Sequence, residues 1–201
     1  MLEPPDDATL LMIASRGESD GFRQLFHRHY EAVFCFAYRL SGSAAVAEEI
    51  TQDCFLSLLQ HPVRYNSARG SVKTYIYGIA RNLFLKHLRR NGMDVNLEDS
   101  GAAARPDEGP DPAELALRDE LGDAVRKAVA MVPPLQREAL VLFEYEGLPL
   151  VDIAHIVGAE VMAVKSRLAR ARDNLRLSLA PYVCHKLKTS ERRSQKNAAD
   201  Q

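Results

Sequence analysis

Apolar residues recur at helical spacing in two neighbouring runs near the carboxyl end of the chain. The shorter run consists of Ile153, Ala154 and Val157, and Gly158 follows it with the backbone freedom that a tight turn needs. The longer run recurs at steps of three and four residues, which places its members on one face of a helix. Its members are Val161, Val164, Leu168, Ala171 and Leu175. The pattern predicts a helix-turn-helix.

The opposite face of the second helix carries residue types that read DNA. Ser166 and Arg170 project away from the apolar stripe at about 100° per residue, and Lys165 and Arg167 flank them. Arginine can donate to two acceptors on a guanine edge, and serine can donate or accept. A basic helix alone is equally consistent with an ordinary solvated face. The helix and turn that precede this one favour DNA binding.

The amino-terminal half of the chain also has helical periodicity, without a competing strand pattern. One helix is predicted over about 44–60, with a core-facing row of Val46, Ile50, Cys54 and Leu58. On its other side Glu49, Gln52 and Asp53 lie at i, i+3 and i+4, so two carboxylates and an amide share one face. This face suits a partner that carries arginine. An ordinary solvated helix side is the alternative.

A loop rich in Pro, Asn, Ser and Gly precedes a helix predicted over about 71–90, and aromatic and basic residues alternate there. Tyrosine rings can stack on unpaired bases, and the cations can pair with phosphates. The tyrosines are Tyr65, Tyr75 and Tyr77; the cations are Arg64, Arg69, Lys73, Arg81, Lys86, Arg89 and Arg90. We expect Tyr77 to belong to the core, because it lies among apolar neighbours.

Charge is segregated along the 201 residues, although the formal net charge is only −1. Residues 22–92 carry 10 Lys/Arg against 4 Asp/Glu, and residues 160–196 carry 10 against 3, so these blocks have net charges of +6 and +7. Residues 93–123 hold 10 Asp/Glu against 2 Lys/Arg, a net charge of −8. This acidic segment, rich in Gly, Pro and Ala, offers little to bury and predicts a flexible linker.

Composition excludes several other classes of protein. No run of eighteen apolar residues is present and the chain opens MLEPPDD, so we expect neither membrane insertion nor export. Three cysteines without CxxC spacing indicate neither a disulfide framework nor a zinc ribbon. We find no nucleophile with partners and no carboxylate cluster for metal, and therefore expect no catalysis, no cofactor and no small-molecule substrate. The predicted fold class is all-α, with two small helical domains.

Three motifs in order, AEEITQDCF, YNSARGSVKTYIYGIARN and VPPLQREALVLFEYEGLPLVDIAHIVGAEVMAVKSRLARAR, resemble a sigma factor of the extracytoplasmic-function group of the sigma-70 family. The resemblance covers about residues 8–180. It implies a region 2 domain over 1–92, an acidic linker over 93–117 and a region 4 helix-turn-helix domain over 118–182. Composition predicts a disordered basic tail over 183–201. Such a protein is a cytoplasmic subunit of bacterial RNA polymerase that initiates transcription of a stress- or envelope-responsive regulon. An anti-sigma partner, which can hold the protein at the membrane, is also implied.

The resemblance assigns roles to the candidate residues. It places Glu49, Gln52 and Asp53 on the clamp of core RNA polymerase. The promoter minus-10 element would be captured and melted by Asn66, Arg69, Lys73, Tyr75, Arg81, Asn82 and Lys86. The minus-35 element would be contacted by Arg137, Lys165, Ser166, Arg167 and Arg170. Tyr75 stands where the family usually has tryptophan, and Gly21 replaces a usual alanine.

Two other classes of protein compete with this interpretation. A stand-alone helix-turn-helix regulator would bind its operator tightly without polymerase, whereas a sigma factor binds promoters strongly only in holoenzyme. An enzyme acting on DNA would need a catalytic cluster, and His27 and His29 cannot supply one because they point about 200° apart on a helix.

Overall fold

The computed structural model describes residues 4–92 and 120–199. In the second range it describes the side chains of residues 122–182. Every regular element in these ranges is helical, which confirms the all-α prediction. The predicted linker over 93–117 lies outside the described residues. The amino-terminal domain, residues 4–92, contains α1 (Asp7–Ser15), α2 (Ser19–Ser41), α3 (Ala44–Gln60), two single 3₁₀ turns (Pro62–Arg64 and Ser67–Arg69) and α4 (Val72–Arg90). The carboxy-terminal domain contains α5 (Glu120–Met131), α6 (Pro134–Leu140), a π-helical turn (Val141–Tyr145), α7 (Leu150–Val157) and α8 (Val161–Ala199).

Side-chain caps fix where three helices of the amino-terminal domain begin. The side chains of Asp6, Ser43 and Ser71 accept hydrogen bonds of 2.8, 3.5 and 3.1 Å from backbone N–H groups in the first turns of α1, α3 and α4. Each bond satisfies one of the N–H groups that a helix start leaves without an internal partner. Helix α2 ends at Gly42, whose φ of 72° suits glycine.

Gly21 allows α1 and α2 to approach each other closely. A Cβ atom at this position would lie 2.5 Å from the carbonyl oxygen of Leu10 and 2.8 Å from the amide nitrogen of Ala14. The replacement of the family's usual alanine therefore has a packing reason, since alanine would force the two backbones apart.

The predicted core positions are buried in both domains. In α3, Ile50, Cys54 and Leu58 are at most 3% exposed and Val46 packs against them as a partly buried residue. In α8, Val164, Leu168 and Ala171 are buried, and Val161 and Leu175 are partly buried. The turn before α8 uses Gly158 at φ 63°. The helix-turn-helix prediction is therefore confirmed.

Helix α8 differs from the prediction at its carboxyl end. Its backbone remains helical to Ala199 and includes residues 183–199, for which we expected disorder. After Pro181 this segment has no Gly or Pro, and ten of the 18 residues 182–199 are Lys, Arg, Ala, Glu, Gln or Leu, which favour helix. Composition alone suggested a solvated tail, and helix propensity accounts for the difference.

The two domains pack against each other, which the sequence left open. Helix α4 contacts α7, and α2 contacts α5, α6 and the π-helical turn. Buried residues of both domains form one continuous apolar cluster. Among the described residues no helix is long and apolar enough to span a membrane.

Candidate nucleic-acid interface

The second helix of the helix-turn-helix presents a polar outer face. Lys165, Ser166 and Arg170 are exposed on the first turns of α8. Val164 and Leu168 anchor the same turns in the core, so the outer face is held on a rigid helix. A rigid helix with short and cationic side chains can enter a major groove.

Arg167 lies at the edge of this face and points toward α6. Its side chain is 19% exposed, and its Nη1 atom lies 3.4 Å from Oε1 of Glu138 in α6. Glu138 is itself 1% exposed. In this arrangement a buried carboxylate therefore holds Arg167, which is one of the residues of α8 predicted to contact DNA.

The loop before α4 and the first turns of α4 enclose a pocket of about 210 Å³. The sequence predicted four of its lining residues as minus-10 contacts. These are Asn66, Arg69, Tyr75 and Asn82. The structure therefore brings together residues from a 3₁₀ turn, the cap region and two turns of α4. His155 and Ile156 of α7 close the pocket from the other domain.

Two tyrosine rings give the pocket an aromatic wall. The rings of Tyr65 and Tyr75 lie 5.8 Å apart at an interplanar angle of 53°. The Tyr65 hydroxyl donates a 3.1 Å hydrogen bond to the carbonyl oxygen of Gly70, which fixes the loop. Burial raises the pKa of Tyr75, so its hydroxyl stays protonated at neutral pH. A half-buried neutral ring suits stacking against a planar base.

The other three predicted minus-10 residues lie away from this pocket. Arg81 forms a two-point ion pair with Glu138, with 2.7 Å from Nε to Oε2 and 3.1 Å from Nη2 to Oε1. Lys73 donates a 2.8 Å hydrogen bond to the carbonyl oxygen of Glu146. Lys86 is exposed on a later turn of α4. Tyr77, expected in the core, is 1% exposed.

Arg137, assigned to the DNA backbone by resemblance, is buried at 1% exposure. Its guanidinium donates to the carbonyl oxygens of Leu40 at 2.7 Å and Val132 at 2.9 Å, and also to that of Ala130. Burial lowers its pKa to about 10, which still leaves it charged at neutral pH. In this arrangement its guanidinium joins helix ends and does not face solvent.

The candidate polymerase-binding face lies on α3. Glu49, Gln52 and Asp53 are all exposed there. Gln52 donates a 2.7 Å hydrogen bond to Glu48, whose carboxylate also accepts from the hydroxyl of Tyr30 at 3.0 Å. Glu49 lies 3.8 Å from Arg90 of α4. The sequence analysis missed the contact between Tyr30 and Glu48, because it crosses between α2 and α3. The contact between Glu48 and Gln52 has i, i+4 spacing within α3, and that spacing was the available signal.

Glu138 and Glu146 are the other residues that sequence reasoning missed. Both are carboxylates at the domain contact. Tyr77 donates its hydroxyl hydrogen bond to the carboxylate of Glu146, and Arg39 lies 3.8 Å from the same carboxylate. The sequence did mark Glu138 as unusual, because Arg137 and Glu138 are two charged residues inside the apolar segment VPPLQREALVLF. Its partner Arg81 lies 57 residues away, and no local pattern identifies it.

The described part of the chain contains no group of three or more His, Cys, Asp or Glu side chains that could hold a metal ion. The candidate interface consists of three surfaces: the outer face of α8, the aromatic pocket before α4 and the polar side of α3.

Comparison with known proteins matches both domains. The family model for Sigma-70 region 2 matches residues 25–93, and that for Sigma-70, region 4 matches residues 122–175. The chain is 31% identical to the ECF RNA polymerase sigma factor SigE of Mycolicibacterium smegmatis, over 90% of this chain and 70% of the relative. It is also 31% identical to the RNA polymerase sigma-H factor of Pseudomonas aeruginosa, over 91% of this chain and 98% of the relative.

A solved structure has the same arrangement of elements. The sigma factor RpoE of Bartonella quintana, solved in complex with the anti-sigma factor NepR, superposes with a TM-score of 0.60 at 28% identity. The match covers 79% of this chain and 96% of that chain. Both domain models in their expected order, and two relatives at this identity, agree with the motifs in the sequence. The chain therefore belongs to the extracytoplasmic-function group of RNA polymerase sigma factors.

Proposed function

We propose that this sigma factor directs core RNA polymerase to promoters through three separate surfaces. These are the polar side of α3, the aromatic pocket before α4 and the outer face of α8. The role consists of binding and strand separation, without a covalent step carried out by this chain. The pocket carries the proposal, since it gathers polar, cationic and aromatic side chains around a space of about 210 Å³.

The side of α3 is the proposed contact with core polymerase. Glu49, Gln52 and Asp53 project from one exposed face, and this face suits the cationic side chains of a helical partner. The hydrogen bonds from Tyr30 and Gln52 to Glu48 orient the amide of Gln52. An oriented amide loses less side-chain entropy when it binds.

The pocket is the proposed site for a base that has left the duplex. Tyr75 offers a ring for stacking, and the side chains of Asn66 and Asn82 offer donors and acceptors to a base edge. Arg69 is exposed beside the pocket and can pair with a phosphate. Capture of a flipped base offsets part of the unstacking cost of a few kcal/mol per base, so recognition and melting occur together. Lys73, Arg81 and Lys86 would hold the strand along α4.

The outer face of α8 is the proposed reader of the minus-35 element. Lys165, Ser166, Arg167 and Arg170 lie on its first three turns, and each good bidentate base contact discriminates by about 1–3 kcal/mol. Arg137 can serve as a minus-35 backbone contact only in an arrangement in which its guanidinium has left the carbonyl oxygens of Leu40 in α2 and of Val132 and Ala130 in its own domain.

An anti-sigma protein is the proposed regulatory partner. RpoE of Bartonella quintana, which resembles this chain over most of its length, was solved with its anti-sigma factor NepR. We propose that a protein of this kind binds the present chain and covers the surfaces that polymerase and DNA use. A stress- or envelope-responsive regulon is the proposed output.

Transcription in vitro tests the function directly. Purified chain and core RNA polymerase are expected to start transcripts at defined positions on a genomic library, and core alone is not. A gel shift on a promoter found this way should require core polymerase. Tight, sequence-specific binding by the chain alone, with no transcript in the presence of core, would identify a stand-alone regulator instead.

A further inference from the structure

One buried carboxylate joins the two DNA-binding domains. Glu138 of α6 is 1% exposed and accepts two hydrogen bonds from Arg81 of α4. The same carboxylate lies 3.4 Å from Nη1 of Arg167 of α8. Arg81 is the proposed strand-holding residue of one domain, and Arg167 is a proposed minus-35 reader of the other.

We propose that this domain contact is an autoinhibitory latch, in which Glu138 holds one DNA-binding arginine of each domain and keeps the free sigma factor closed. The inference rests on the function proposed above for Arg81 and Arg167. The two-point pair with Glu138 uses the Nε–H and one Nη2–H of Arg81 and neutralises its charge, so Arg81 attracts a phosphate less strongly while the pair persists.

A second acidic residue of the carboxy-terminal domain, Glu146, contacts two further cationic side chains of the amino-terminal domain. The carbonyl oxygen of Glu146 accepts from Lys73 at 2.8 Å, and its carboxylate accepts from Tyr77 and lies 3.8 Å from Arg39. The guanidinium of Arg39 also lies 4.3 Å from the ring centre of Tyr145. Acidic side chains of one domain thus face basic side chains of the other, and nucleic acid would compete for those same cations.

The pocket for the flipped base is closed by the same contact. His155 and Ile156 of α7 line it together with Asn66 and Tyr75. Beside it, Thr74 of α4 donates a hydrogen bond of 3.4 Å to Asp152 of α7. Because α7 forms part of the pocket wall, the closed arrangement restricts access to this pocket, and on α8 it occupies Arg167.

Two opposing effects act on the carboxylate of Glu138. Burial raises the pKa of Glu138, and the guanidinium groups of Arg81 and Arg167 act in the opposite direction. Removing a carboxylate from water costs nearly as much as its ion pairs return. Ligands that bind only the open state, such as core polymerase and promoter phosphates, can therefore shift the equilibrium. Such couplings between sites typically change affinity by roughly 5–150-fold.

The test compares the full-length chain with Glu138→Gln and with the matched control Glu144→Gln. Glu144 is an exposed carboxylate of the same domain that pairs with Arg172, so both variants lose one negative charge. Two quantities are measured for each protein without polymerase: the radius of gyration by small-angle X-ray scattering, and the affinity for a minus-35 duplex and a single-stranded minus-10 oligonucleotide. Both DNA sequences come from a promoter mapped by transcription in vitro.

We expect Glu138→Gln to increase the radius of gyration and to strengthen binding of both DNAs by about fivefold or more. Glu144→Gln should match the wild type in both measurements. An unchanged radius of gyration in Glu138→Gln would overturn the latch, even if duplex binding rose through local release of Arg167. An increased radius without stronger DNA binding would leave the domain contact standing but refute the DNA roles of Arg81 and Arg167, and with them the autoinhibition.

A second variant keeps the latch testable if Glu138→Gln does not fold. Asp152→Ala removes the hydrogen bond between α7 and α4 without altering any proposed DNA contact. Compared with Glu144→Ala, it should also increase the radius of gyration and strengthen oligonucleotide binding. Equal values for these two variants would overturn the proposal.

Discussion

The guanidinium group of Arg137 in α6 donates a 2.7 Å hydrogen bond to the main-chain carbonyl oxygen of Leu40 in α2. Leu40 lies in the last turn of α2, where the helix leaves its carbonyl groups without internal partners. One buried side chain of the carboxy-terminal domain thus completes a helix end of the amino-terminal domain. The bond adds to the contact between the domains that the ion pairs of Glu138 also make.

Replacement of Arg137 is expected to destabilise the protein. Arg137→Ala leaves the carbonyl oxygens of Leu40 and Val132 without their donor and creates a cavity. We expect the free energy of unfolding to fall by about 3 kcal/mol, measured by urea denaturation. The control Arg176→Ala removes an exposed pair with Asp173 and should change it by no more than about 0.5 kcal/mol. A decrease as small as that of the control would contradict the structural role of Arg137.

The polar face of α3 should be needed for association with core polymerase. Gln52→Ala combined with Asp53→Arg removes the amide and replaces one carboxylate of this exposed face by a cation, and should abolish co-purification with core. The control pair Asp20→Arg with Gln24→Ala makes the same chemical changes at exposed positions of α2 and should leave recovery unchanged. Normal recovery of the α3 variant would exclude this face as the docking site.

Tyr75 should matter more for strand opening than for initial promoter binding. Tyr75→Ala removes the stacking ring, and stacking contributes about 1–3 kcal/mol per base. Permanganate footprinting of unpaired thymines should therefore show slower open-complex formation, while closed-complex binding changes little. Tyr75→Phe retains the ring and serves as the control. If Tyr75→Ala impairs closed-complex binding and open-complex formation equally, the ring has a general structural role.

The outer face of α8 should act on the minus-35 element alone. Ser166→Ala with Arg170→Ala is expected to weaken transcription from promoters that depend on the minus-35 element, by about 1–3 kcal/mol for each base that these side chains recognise. Binding to core should remain, as measured by co-purification. On a promoter whose minus-35 element has been scrambled, the variant and the wild type should be equally active. If the variant is less active than the wild type on that promoter, these side chains do not act through the minus-35 element alone.

Stability should decline at alkaline pH through Tyr77. Burial and the hydrogen bond to Glu146 raise the pKa of Tyr77 above its ordinary value near 10. The unfolded chain therefore loses this proton before the native state does, so the stabilisation is complete below about pH 10 and is lost as the pH rises above it. In urea denaturation between about pH 9 and 11, Tyr77→Phe should show a smaller decline in unfolding free energy than the wild type. Parallel declines would refute the assignment.

Local pattern was sufficient for the elements themselves. Apolar spacing located the helix-turn-helix and the core side of α3, because a residue's position on a helix depends only on its spacing along the chain. The alternation of aromatic and basic residues also singled out Arg69 and Tyr75 of the pocket, whereas Asn66 and Asn82 were identified by the family resemblance. The polarity of residues 183–201 predicted disorder and not the extension of α8 to Ala199, although many of the same residues favour helix.

The sequence by itself determined that this protein is helical, that residues 22–92 and 160–196 are basic, and which faces of α3 and α8 are polar. Only the tertiary structure decided where Arg81, Arg137 and Arg167 are held, because their partners Glu138 and Leu40 lie far from them along the chain. Periodicity describes one helix at a time. The pairing of charges between helices depends on how those helices pack, and packing is a property of the whole chain.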